Sequence, residues 1–83
     1  MPAMPAPAPH IVHFTDHALA KAQLLAIAGS DIEAAVLGGH CQRTRNTGSA
    51  DWLTTAGRLA VAYNHPHEGD ELVALIVTLW RGA

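Results

Sequence analysis

Residues 71–80 are the most apolar stretch of this chain, and they restrict its fold more than any other segment. Leu72, Val73, Leu75, Ile76, Val77 and Leu79 fall on both faces of an extended run. A strand that is apolar on both faces belongs inside a sheet, with cover above and below, so these residues read as a central strand. The segments before it share its period of two. Strands are expected over 52–55 and 58–64, with a turn at Ala56-Gly57 between them and a long hairpin loop over 65–70. Residues 40–46 are polar and read as an edge or a loosely held strand, followed by a turn at Thr47-Gly48-Ser49.

Before His40 the period is helical. Ala18, Leu19, Ala22, Leu25 and Ala26 recur on one helical face. They predict a first helix over 16–28, with Thr15 or Asp16 as N-cap and Gly29 just past its end. Ser30-Asp31-Ile32-Glu33 has the form of a capping box, which places the start of a second helix over 31–37. Ile32, Ala35 and Val36 face its core side, and Gly38-Gly39 are expected to stop it. Residues 11–14 read as a short edge strand. The expected architecture is α+β: an N-terminal helical hairpin packed on a mostly antiparallel sheet of about four strands. It forms one domain over 11–83, behind a disordered proline/alanine tail over 1–10, where proline fixes φ and removes donors.

Composition narrows the function classes. A chain of 83 residues buries only about 60% of its unfolded surface, so a partner or a second copy would add to a small core. Apolar residues at 49% against 14% charged suit a compact fold rather than disorder. A formal charge of −2 provides no basic field for holding long nucleic acid nonspecifically. A single cysteine, Cys41, rules out an internal disulfide and fits a reducing compartment. No apolar run approaches the roughly 20 residues of a membrane span, and residues 1–9 lack the basic and apolar regions of a signal peptide, so the expected location is the cytoplasm. Six histidines raise the question of a metal. His10, His13 and His17 are close in sequence and His65 and His67 flank a proline, but His10 lies in the tail and only Cys41 offers sulfur. Neither a metal nor a cofactor site is expected.

The pair that stands out chemically is His17 and Lys21. Four residues apart on a helix, they share one face, and an imidazole beside an ammonium can bind a phosphate and move a proton. Phe14, Thr15, His17, Ala18, Ile27, Ser30, Ile32, Glu33, Val36 and Gly38, followed by the closing run Ile76-Val77-Thr78-Leu79, occur in the order seen in a known group. In these residues the chain resembles small RelE-like bacterial domains of unassigned function, related in fold to the RelE and BrnT toxins. The resemblance spans residues 14–80. Lys21 stands where that group has its first arginine and Leu25 where it has its second. A lysine is a point charge, whereas an arginine binds two phosphate oxygens in a fork.

The resemblance implies a metal-independent ribonuclease of a bacterial toxin–antitoxin type system, with RNA and a protein antitoxin as partners. RNA cleavage of this kind needs a base, an acid and a cation. The candidates are His17 as base or acid, Lys21 and Arg58 as phosphate ligands and Thr78 as a phosphate or water ligand, with Tyr63 as another acid. Trp52 and Trp80 are candidates for stacking on a base. Arg43 and Arg45 alternate on the polar segment and read as a charged edge that resists strand pairing. The alternative is a catalytically silent module of the same fold that binds a protein partner or self-associates.

Overall fold

The computed structural model describes residues 8–82. The chain runs β1 (Ile11–Phe14), α1 (Asp16–Leu24), α2 (Gly29–Gly39), a 3-10 turn (His40–Gln42), β2 (Thr44–Arg45), β3 (Trp52–Ala56), β4 (Leu59–Asn64) and β5 (Val73–Arg81). The class is α+β, as expected, but the sheet has five strands in the order β1-β5-β4-β3-β2. It is mixed: β1 runs parallel to β5, while β2, β3, β4 and β5 pair antiparallel in sequence. β5 lies between β1 and β4, the internal position its apolar faces call for. Helix α1 packs over β5 and α2 over β3 and β4.

Both helices cover the same face of the sheet. Ala18 and Ala22 of α1 and Ile32, Ala35 and Val36 of α2 form one buried cluster with Val61, Tyr63, Ala74, Ile76 and Leu79. The helices do not form an antiparallel hairpin, because the chain bends by 115° between them. Neither is long and apolar enough alone to cross a membrane.

The junction between the helices differs from the sequence expectation. α1 ends at Leu24, four residues early, in a Schellman motif: Ile27 N–H donates to Ala22 O at 2.9 Å and Ala26 N–H to Gln23 O at 3.2 Å. The left-handed position that glycine usually takes falls on Ala26, at φ 54°. Gly29, expected beyond the end of α1, instead opens α2. The N-cap of α2 is Ala28, with no side-chain cap bond, so the Ser30 capping box does not form; Asp31 N–H donates to Ala28 O instead.

Gly38-Gly39 are the last two residues of α2 rather than lying past its end. A Cβ on Gly39 would collide with Thr54 Oγ1 of β3, whereas one on Gly38 would meet nothing. The missing side chain of Gly39 lets the helix end lie against the sheet, and the chain goes on through the 3-10 turn. Residues 40–42 are therefore helical rather than extended, which leaves only Thr44–Arg45 as a short edge strand.

The packed domain begins earlier than expected. Pro9 is buried and His10 N–H donates to Leu72 O at 2.8 Å, so these two residues belong to the packed domain. The rest of the expected tail, apart from exposed Ala8, lies outside the described residues.

Two substitutions separate these backbone effects in urea unfolding. Ala26→Gly relieves a left-handed alanine and is expected to stabilise the fold by about 1 kcal/mol. Gly39→Ala is expected to destabilise it by about 1–3 kcal/mol through overpacking. A neutral Gly39→Ala would show that α2 does not need this close approach.

Candidate functional site

The site is set by where β1 ends. Its last ladder pair is Phe14 with Ile76. Thr15 then fastens the chain three times. Its N–H donates to Ile76 O at 3.0 Å, its hydroxyl donates to Val77 O at 3.1 Å, and the same oxygen accepts from Ala18 N–H at 3.1 Å as the N-cap of α1. Of the two expected caps, Thr15 is the one used. β5 has its irregularity at this level: Tyr63 pairs with Ile76 and Ala62 with Thr78, so Val77 is an extra residue without a partner on β4. Such a bulge bends a strand and re-aims its side chains.

Together these features set the first turn of α1 beside Thr78. His17 Nε2 lies 3.1 Å from Thr78 Oγ1, and both groups are accessible. Two candidates 61 residues apart in sequence are thus in hydrogen-bond contact. Lys21 is half-buried, one turn further along the same helix face and in the last turn of α1, where its charge also meets the negative end of the helix dipole.

Arg58 stands elsewhere. It precedes Leu59, which pairs with Arg81, three residues along β5 from Thr78 and so about 10 Å away at strand rise. It lines a cavity of about 640 Å³ with Ile27, Asp31, Leu59 and Arg81, and this cavity includes none of His17, Lys21 and Thr78. The sequence reading did not single out Arg81.

Tyr63 is not an acid for this site. It is fully buried, and its hydroxyl shares a 2.6 Å hydrogen bond with His40 Nδ1. Burial pushes the phenol up to about 12. His40, expected on an exposed edge, is only 3% exposed. Desolvation, then the charge of Arg43 and the neighbouring His65, lower its pKa to about 4, so it is neutral at pH 7. The His65 ring meets it edge-on with centroids 4.6 Å apart. His40 Nε2 is buried without a hydrogen-bond partner among the described residues. Nothing in the local sequence marked His40 as interior; the Gly38-Gly39 pair that carries it there read as a helix stop.

Trp52 is likewise engaged. The guanidinium carbons of Arg43 and Arg45 lie 4.2 and 4.8 Å from its ring centroid, and its Nε1–H donates to His65 O at 3.2 Å. The alternating arginines therefore act on the tryptophan as cation–π partners. Trp80 is 38% exposed on the opposite sheet face. Among the described residues no three His, Cys, Asp or Glu side chains are grouped to hold a metal ion.

Comparison with known proteins adds no relative: no family model, no curated protein and no solved structure matches the chain.

The buried imidazole makes stability depend on pH. Folded, His40 takes a proton only near pH 4; unfolded, it does so near its ordinary 6.5. Between these values the unfolded chain binds more protons, so this contribution is complete above about 6.5 and is lost as pH falls towards 4. The melting temperature should drop between pH 7 and pH 4.5, and His40→Gln should narrow that drop. An unchanged drop in the variant would contradict this role.

Proposed function

We propose that this chain is a ribonuclease domain of the bacterial toxin kind, cleaving RNA without a metal ion, with His17 and Thr78 at its centre. The observation that carries this reading is the exposed 3.1 Å contact between His17 Nε2 and Thr78 Oγ1, held by the fastening of Thr15 to β5. If Nε2–H donates to the Thr78 hydroxyl, the ring is oriented and Nδ1 carries the free lone pair.

His17 Nδ1 then takes the proton of an RNA 2′-hydroxyl. The 2′-oxygen attacks the adjacent phosphorus and the bond to the 5′-oxygen breaks, leaving a 2′,3′-cyclic phosphate and a 5′-hydroxyl. The leaving oxygen recovers its proton from the imidazolium or from water. Lys21, on the same helix face, offsets charge developing on the phosphate. Arg58, which lines a different cavity, is given no role in this step. A protein antitoxin is the partner such an activity requires in its host.

A second reading, a catalytically silent module, is favoured by the sheet face that carries no helix. Val12 and Phe14 pack against the core, which turns Ile11 to that face, and Leu79 inward turns Trp80 outward. Ile11 is 49% exposed and Trp80 38%.

Incubation of the purified chain with an RNA oligonucleotide, with and without a chelator, separates the two. Cleavage insensitive to the chelator and yielding cyclic phosphate ends is expected. His17→Ala should lower the rate by about a hundredfold or more, the usual size of an acid–base contribution. Its melting temperature should hardly move, because His17 is exposed. Lys21→Arg should preserve or raise the rate, since a guanidinium contacts two phosphate oxygens. An intact chain that cleaves no RNA, or one in which His17→Ala costs stability and not rate, would support the silent module.

A further inference from the structure

The cavity lined by Arg58 is a feature that the ribonuclease reading leaves unused. It lies between the start of α2 and the ends of the strands, and encloses about 640 Å³, within the usual range of roughly 300–1,000 Å³ for small-molecule sites. Ile27, Ala34, Ala35 and Leu59 supply an aliphatic wall. Arg58 and Arg81 are its two basic lining residues, and Asp31 is the one acid lining it among the described residues.

The arginines are brought together by the backbone. Gly82 N–H donates to Arg58 O at 2.6 Å and Leu59 pairs with Arg81, so Arg58, in the turn that precedes β4, lies diagonally across from Arg81 at the end of β5. Two of the five cations of an otherwise acidic chain thus face one pocket. Against Asp31 they leave one net positive charge beside an apolar surface.

We propose that this groove is a binding site for a small organic anion, separate from His17. The charged head, a carboxylate or a phosphate ester, lies on Arg58 and Arg81, whose planar forks match two oxygens of either group. The aliphatic body of the ligand covers Ile27, Ala34 and Leu59 and excludes water from the ion pairs. Inorganic anions have no such body, and cations are repelled by the arginines, so both the head and the body are needed.

Amide NMR titration of the full chain with four probes tests this. Hexanoate presents a carboxylate on an aliphatic body and adenosine monophosphate presents a phosphate ester on a larger one. Inorganic phosphate is a head alone, and hexylamine a body with the opposite charge. Saturable shifts at Ile27, Asp31 and Gly82 are expected with hexanoate, with the nucleotide or with both, and which of them binds identifies the head. Arg58→Ala and Arg81→Ala should each weaken that binding by about tenfold, the size of a charged hydrogen bond. Asp31→Asn, which removes the like charge, should tighten it and so provides a readout that loss of folding cannot mimic. The proposal is overturned if neither organic anion binds saturably, if inorganic phosphate or hexylamine binds as tightly, or if these substitutions leave binding unchanged.

Discussion

The hydrogen bonding of β5 is the constraint from which the remaining elements take their positions. On one side the strand runs antiparallel to β4 along most of its length, and on the other it accepts only the four residues of β1. Where β1 stops, the outer edge of β5 would expose unpaired carbonyls, and buried or half-buried carbonyls require partners. Thr15 supplies them: its amide takes Ile76 O and its hydroxyl takes Val77 O. Because the same hydroxyl oxygen caps α1, the strand edge and the helix start are tied at one atom. The His17–Thr78 contact follows from that tie.

The helices can approach the sheet because their inner faces are small. Ala18, Ala22 and Ala35 pack where larger residues would hold the backbones apart, and Gly39 allows the end of α2 to lie against Thr54. Bulk comes from Tyr63, Ile76, Leu79 and Val61 on the sheet side and from Ile32 and Val36 of α2. One consequence is polar. Drawing the end of α2 onto the sheet takes His40 inside with it, where the Tyr63 hydroxyl is its partner and burial keeps the ring neutral. The same approach sets Arg43 between the His40 carbonyl, which accepts from it at 2.9 Å, and the face of Trp52.

Much of the fold was legible in the residues. The period change read at His40 placed the boundary between helices and sheet a few residues before the true one, which follows the 3-10 turn His40–Gln42, and the two-faced apolar run over 71–80 located an internal strand. The parts that were not legible depend on contacts between distant residues. A parallel edge strand cannot be told from an antiparallel one by pattern, and the bulge at Val77 is visible only in the register, where Ile76 and Leu79, three apart, both reach the core. Gly29 misled because local rules place it past the end of α1, whereas the left-handed position falls on Ala26; Gly39 does sit at the end of α2, where its close approach to Thr54 is what needs a glycine. Within the site, His17 and Thr78 come together through the tie of Thr15 to β5, a contact across 61 residues that local sequence does not display. Arg58 read as a cation near them because strand ends look alike in sequence, and only the pairing of Leu59 with Arg81 shows it belongs to a separate groove.

The proposed meeting point of RNA and this chain is the edge beside His17 and Thr78. The most direct measurement is a two-dimensional NMR titration that follows the His17 ring and the Thr78 and Lys21 amides. The ligand is a short RNA whose reacting 2′-hydroxyl is replaced by hydrogen, so that it binds without being cleaved. Saturable shifts at His17, Lys21 and Thr78, absent in His17→Ala, are the predicted result. Saturation confined to other surfaces, or no response at these three residues, would contradict the account.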